Sequence, residues 1–244
     1  MKDIKLLRIP DVYSAKKIIC VQPHHDDNDI GAGALICDLV NKKTKIIYVT
    51  VTDGSLGIKD ENLSDLQKVE IRKKEQFESG KISGVSEFID LGYKDQGAYS
   101  VEELEKQLLN IFNKEKPDMV MGPDPFLEYE SHTDHIKTGK ALLQASFKCG
   151  LGGYPADQED LDPKVLNGVI LYYTSKPNRF FDAQENWNKK KRMIGMFKSQ
   201  FDDEYLADIF EYMDYKAKEH AKAQGMKLAE GFKVLSIHAL HCIN

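Results

Sequence analysis

The apolar residues of this 244-residue chain fall into short continuous runs separated by longer stretches of helical period. Strand-like runs occupy Lys17–Val21, Lys45–Val51, Glu87–Asp90, Asp118–Met121, Val169–Tyr173 and Lys233–Ile237. Between most of them the apolar spacing becomes helical, which predicts helices over Gly31–Leu39, Leu63–Ile82, Val101–Phe112 and Ile136–Ala145. In Val101–Phe112 the residues Leu104, Leu108, Ile111 and Phe112 share one face. Two further helical patterns cover Asn186–Lys198 and Asp203–Lys222, the second with a core stripe of Leu206, Ile209, Phe210 and Met213. Strands alternating with helices through roughly the first 145 residues predict an α/β fold of βαβ units on a mostly parallel central sheet. No Pro/Gly/Ser-rich linker, low-complexity run or repeat divides the chain, and Gly150–Pro155 reads as a loop. Residues 1–244 are therefore expected to form a single domain.

Composition narrows the class. The apolar fraction of 41 % suffices for a buried core, and the 30 % charged fraction suits a solvated surface. A net charge of -5 leaves no broad basic field, so nucleic acid is not expected as a partner. The basic run Lys189–Arg192 lies in a helical pattern among acidic neighbours and reads as a solvated helix face. The first ten residues lack an unbroken apolar core, so no signal peptide is expected. No window approaches the ~18 apolar residues of a membrane span. Cys20, Cys37, Cys149 and Cys242 form no CxxC pair and read as buried reduced thiols, pointing to a cytoplasmic protein.

Chemistry concentrates in two short clusters. His24-His25-Asp26-Asp27-Asn28-Asp29 packs two imidazoles and three carboxylates directly after an apolar run. Carboxylates crowded in this way repel and lose hydration, which calls for a cation. A second cluster, His132-Thr133-Asp134-His135, follows another strand-like run. In an open parallel sheet, ligands bind beyond the carboxyl ends of the strands where strand order reverses. With the order 3-2-1-4-5, strands one and four are neighbours there, and the two clusters converge. His24 and Asp27 are three residues apart, as are His132 and His135, a spacing that keeps each pair on one side of a helical turn. Three protein ligands with an open position are the pattern of catalytic zinc. His24, Asp27 and His135 would supply them, leaving Asp26 beside the ion to take a proton from water, whose pKa zinc lowers to about 7.

The segment His24–Gly31 resembles the AHPDDxExG motif of the PIG-L/LmbE-like zinc deacetylases, and His132–His135 resembles their HPDH motif. Thr52–Gly57 is similar to their TDGxxG turn. Arg72-Lys73-Lys74-Glu75 resembles their RxxE helix, followed by Gly84-Val85 and Leu91-Gly92. Ala229–Phe232 resembles their AEGF-type segment, so the matches run in order over most of the chain. The resemblance implies a Rossmann-like three-layer sandwich that removes an N-acetyl group from a small amino-sugar substrate of the N-acetylglucosamine type. It implies zinc on His24, Asp27 and His135, with Asp26 as general base. His132 would stabilise the oxyanion or protonate the leaving amine, Asp134 would orient a histidine, and Arg72 would contact the substrate. Three departures stand out: His25 for the usual proline, Asp29 for glutamate, and Ser55 where an acidic residue is frequent. His25 could add a ligand, a substrate contact or nothing.

Competing readings remain open at this level. Asp26 and Asp27 could simply cap a helix. Iron(II) could occupy the same ligands as zinc. Gly31-Ala32-Gly33 could be taken for a dinucleotide loop, but position 36 is Ile36 where the third glycine belongs, and the acidic cluster would repel a pyrophosphate. A metal-dependent hydrolase of other amides, esters or phosphates, and a non-catalytic metabolite-binding module, are the functional alternatives; homo-oligomerisation is left open. Tyr172 and Tyr173 read as strand core and edge, Arg72 alternatively as an ion-paired surface residue, and His220 as solvated. His238 and His241 are not expected to be ligands.

Overall fold

Seven strands make one sheet in the computed structural model, which describes residues 8–151 and 166–241. The strands are β1 (Lys17–Gln22), β2 (Lys45–Thr52), β3 (Glu87–Tyr93), β4 (Met119–Pro123), β5 (Gly168–Tyr172), β6 (Arg179–Asp182) and β7 (Ala229–Ser236). The helices are α1 (Asp27–Asn41), α2 (Asp65–Ser83), α3 (Val101–Glu115), α4 (Thr133–Leu151), α5 (Trp187–Ile194) and α6 (Asp203–Lys222). Strand order is β3-β2-β1-β4-β5-β7-β6. The first five strands run parallel, and β7 pairs antiparallel with both β5 and β6. Strand order thus reverses between β1 and β4, as the 3-2-1-4-5 expectation required.

The parallel strands are buried on both faces, which is why they read as unbroken apolar runs. Ile19, Val21, Ile47, Val49, Val120 and Val169 pack against Leu104, Leu108 and Phe112 of α3 and Leu142 of α4. Ile18, Cys20, Tyr48, Met121 and Ile170 pack against Ala32, Leu35 and Leu39 of α1 on the other face. A third cluster joins Trp187 and Ile194 of α5 and Met213 and Ala217 of α6 to Ala34 of α1. Helices α2 and α3 each begin with a complete capping box, Ser64 with Gln67 and Ser100 with Glu103. Cys20, Cys37 and Cys149 are buried; Cys242 and residues 152–155 of the glycine-rich loop lie outside the described residues.

Three sequence expectations change. β6 was not foreseen: four residues at the sheet edge, with only its two phenylalanines partly covered, carry too little pattern. α5 stops at Ile194 rather than Lys198, and its backbone turns away from Gly195 onward. The basic run is not simply a solvated face: Lys190 is 3 % exposed and its ammonium lies 2.6 Å from Glu230.

Candidate active site

The turn from β1 into α1 is pinned before any chemistry is considered. The Oε1 of Gln22 accepts from the Asn28 N–H at 2.9 Å, and the Asn28 side chain donates to the Cys20 carbonyl at 3.1 Å. Thr52, at the end of β2, donates from its N–H and its hydroxyl to the Pro23 carbonyl, at 3.0 and 2.9 Å. His24 to Asp27 are thereby held at the carboxyl end of β1. Beside it, β4 ends at Pro123, and the chain returns through residues 124–132 to start α4 at Thr133. The two clusters meet across this switch point.

His24, Asp27 and His135 each place a donor atom within 4.8 Å of the others. His24 Nδ1 lies 3.2 Å from Asp27 Oδ2, and His135 Nε2 lies 3.3 Å from Asp27 Oδ1. Burial pushes the Asp27 carboxyl up, but His135 and His24 outweigh it and hold the group well below the usual carboxylate range. Two imidazoles and one ionised carboxylate facing a common point are a donor set that suits a divalent ion. The His/Asp group can therefore hold a metal.

A second group, His24, Asp95, His132 and Asp134, lies on the far side of the His24 ring. His24 Nε2 is 3.5 Å from both Asp95 Oδ1 and Asp134 Oδ2. Asp134 is fully engaged otherwise: Tyr99 Oη and the Gln96 N–H each donate to it at 2.8 Å. Such a carboxylate fixes the orientation of the imidazole it faces, which is the position Asp134 takes toward His24. Burial pushes Asp134 up, but His24 first, then the Gln96 N–H and Tyr99, outweigh it and hold the carboxyl down to about 2.

Asp26 is the N-cap of α1 through its backbone carbonyl, but its side chain makes no capping bond, so helix capping does not account for the carboxylate. Its Oδ1 accepts instead from Arg72 Nη2 at 3.2 Å. Arg72 is not an exposed ion-paired residue: it is 1 % exposed, its guanidinium lies 5.8 Å from the Phe197 ring, and its Nε and Nη1 have no partner. The His132 ring sits 4.7 Å from that of His24 and 4.9 Å from that of His135. Its Nδ1 accepts from the Asp134 N–H at 3.3 Å, so the neutral ring carries its proton on Nε2. Burial first, then the neighbouring imidazoles, lower the His132 pKa.

His25 joins neither donor group. It is 1 % exposed, both ring nitrogens lack partners, and burial together with Arg72 pushes its pKa down to about 3. The ring lies under Gly54, where an added Cβ would come within 3.0 Å of its Nδ1 and where φ is +61°. Asp29 points away beneath α1 toward Tyr48 and Ser79, and burial raises it to about 7. Glu75 of the RxxE run accepts from Ser199 N–H and Oγ, at 2.7 and 2.6 Å, tying α2 to the segment after α5.

Two further residues, Asp95 and Glu130, and a reassigned one, Tyr173, complete the site. Asp95, just after β3, faces His24. Glu130 accepts from the His132 N–H at 2.8 Å and lies 3.3 Å from His135 Nδ1. Tyr173 is not strand edge: it follows β5 with φ of 54°, its ring stacks on His135 at 5.8 Å and 6°, and its hydroxyl reaches the Asp27 backbone oxygen at 3.3 Å. The available signal was positional, since Asp95 and Tyr173 both follow the carboxyl ends of strands in a parallel sheet.

Fold and site together define an α/β protein with a His/Asp group able to hold a metal at the sheet's switch point, and the comparisons specify the family. Residues 19–146 match the PIG-L family, described as GlcNAc-PI de-N-acetylase. The chain belongs to this family. It is 32 % identical, over 93 % of its length and 85 % of the relative's, to the diacetylchitobiose deacetylase of Thermococcus kodakarensis. It is also similar to the N,N'-diacetylchitobiose deacetylase of Pyrococcus horikoshii solved with its inhibitor MPG. That match has 33 % identity, covers 100 % of this chain and 98 % of the other, and has a TM-score of 0.88. At 15 % identity and a TM-score of 0.74, the 4-carboxy-2-hydroxymuconate hydratase GalB of Pseudomonas putida shares the fold alone, covering 90 % of this chain and 95 % of its own.

Proposed function

We propose that this chain is a zinc-dependent deacetylase that hydrolyses the N-acetyl group of a small N-acetylglucosamine-type substrate. The observation that carries this is the convergence of His24, Asp27 and His135 with Asp26 adjoining them and gripped by Arg72. Zinc held by His24, Asp27 and His135 would supply Lewis acidity toward the amide carbonyl and toward water; iron(II) fits the same donors.

The chain's own groups divide the remaining work. Asp26 accepts the proton of the attacking water, and Arg72 fixes the carboxylate for that task. His132 offers its Nε2–H to the carbonyl oxygen as charge develops there, or protonates the departing amine. Asp134 orients His24 from behind. The unpaired Nε and Nη1 of Arg72 remain available to a polar group of the substrate. The amino-sugar substrate is supported by the two diacetylchitobiose deacetylases of similar sequence.

The single-domain, Rossmann-like three-layer arrangement belongs to the same proposal, supported by apolar clusters on both faces of one sheet. So does a cytoplasmic location, supported by the buried thiols; no helix among the described residues is long and apolar enough to cross a membrane. The test is metal analysis joined to acetate release from a panel of N-acetylglucosamine conjugates. Acetate release that depends on a bound divalent ion is expected; metal-loaded protein inert on the whole panel would refute the assignment.

A further inference from the structure

A cavity of about 520 Å³ lies between α1, α5, α6 and β7 and is lined in part by Tyr173, whose ring stacks on His135. Its lining includes Thr174 and Ser175, which directly follow Tyr173, and Leu127, which lies in the loop leading to His132. The cavity and the candidate active site therefore share a wall and a pair of loops. Its volume is in the range of sites that bury small organic ligands, about 300–1,000 Å³.

The lining defines the ligand's chemistry. Ile30, Phe201, Ile209 and Met213 present apolar surface. The buried polar groups among them are already satisfied by protein partners. Lys190 pairs with Glu230 at 2.6 Å, and Glu230 also accepts from the Ala34 and Leu35 N–H groups at 3.2 and 2.8 Å. Trp187, another lining residue, donates from Nε1 to Asp214 at 2.6 Å, so its indole N–H is also satisfied. His220, whose pKa burial lowers, bonds the Ala229 backbone. Lys216 also lines the cavity but is exposed, so its ammonium stays hydrated; the buried part of the wall has no unmet charge and favours an uncharged, apolar occupant, because a charged one would lose its hydration there without gaining a partner. Tyr205 and Tyr212 also line the cavity and are exposed, and such tyrosines can cover an apolar ligand while their hydroxyls stay wet.

We propose that this cavity is a subsite for an apolar alkyl or aryl aglycone of the sugar substrate. The proposal rests on the deacetylase assignment: with the acetamido group at Asp26 and His132, the remainder of the substrate passes Tyr173 and enters the cavity. The substrate class is then an N-acetylglucosaminide carrying an uncharged hydrophobic group.

Trp187 is the chain's sole tryptophan and lines the cavity, so its emission reports occupancy independently of turnover. Octyl and methyl N-acetyl-β-glucosaminide, N,N'-diacetylchitobiose and 1-octanol are titrated against the metal-loaded protein, and kcat/KM is measured for the three sugars. A saturable change of Trp187 emission is expected with the octyl glycoside and octanol but not with the methyl glycoside. The octyl glycoside should exceed the methyl one in kcat/KM by roughly tenfold or more, since each buried methylene is worth about fourfold. Ile209→Phe, which narrows the cavity, should bring that ratio toward one. Equal kcat/KM for the two glycosides with silent Trp187 emission would overturn the proposal while leaving the deacetylase assignment intact. A Trp187 response to the disaccharide alone would assign the cavity to a second sugar ring and also overturn it. A response to octanol with no acetate released from any sugar would instead refute the deacetylase assignment, and the aglycone role with it.

Discussion

Helix α1 touches two buried ionic clusters. At its first turn lie Asp27 and the imidazoles of His24 and His135; in its middle, Glu230 of β7 meets Lys190 of α5 and the N–H groups of Ala34 and Leu35. The second cluster is complete in itself: one carboxylate, one ammonium and two backbone donors satisfy one another. The first is incomplete. Its three donors converge on a common point, and an imidazole can release its proton to solvent and offer the freed lone pair to a metal, where an ammonium so close to a carboxylate would not. Buried charge that closes on itself holds elements together; buried charge that faces a gap accommodates a ligand.

The largest effect expected from breaking this contrast is at Asp26. Asp26→Asn should retain metal and lose about 10²–10⁴-fold in acetate release, because an amide cannot accept the water proton. Near-normal turnover would remove Asp26 from its role. In the other cluster the loss should appear in stability instead. Glu230→Gln strands the buried Lys190 ammonium and should cost about 3–5 kcal/mol in denaturant unfolding, with the folded fraction retaining its metal. The double variant Lys190→Met/Glu230→Gln should recover part of that loss; no recovery would argue against the pair as its cause.

Two smaller effects sharpen the boundary of the first cluster. His132→Ala should lower kcat and kcat/KM together by about 10²–10³-fold with metal content unchanged. Parallel loss of metal would make His132 a ligand and favour the group containing Asp95 and Asp134. Tyr173→Phe keeps the stack on His135 but deletes the hydroxyl near Asp27. One neutral hydrogen bond contributes about 0.5–1.5 kcal/mol, so metal affinity should weaken by no more than roughly tenfold in a competition titration with a chelator.

The same contrast explains what could be read from the chain. Ligand pairs such as His24 with Asp27, and His132 with His135, are close in sequence and follow apolar runs, so both the strands and the clusters were visible. Strand order then brought the clusters together by a general rule of parallel sheets. Lone residues that converge only through the tertiary fold were not visible. Asp95 and Tyr173 have no local partner to mark them. Lys190 looked like one lysine of a basic run because Glu230, which buries it, lies 40 residues away. Arg72 likewise sits in a highly charged helix, and only its place beneath Asp26, 46 residues distant, distinguishes it from its neighbours.

The most direct measurement is the metal content of the purified protein and of Asp27→Ala, determined with acetate release from N,N'-diacetylchitobiose on the same preparations. About one divalent ion per chain is expected for the unaltered protein. Metal and activity should be lost together in Asp27→Ala. A fully metallated Asp27→Ala protein, or undiminished acetate release after complete metal removal, would contradict the assignment of His24, Asp27 and His135 as the metal-binding set.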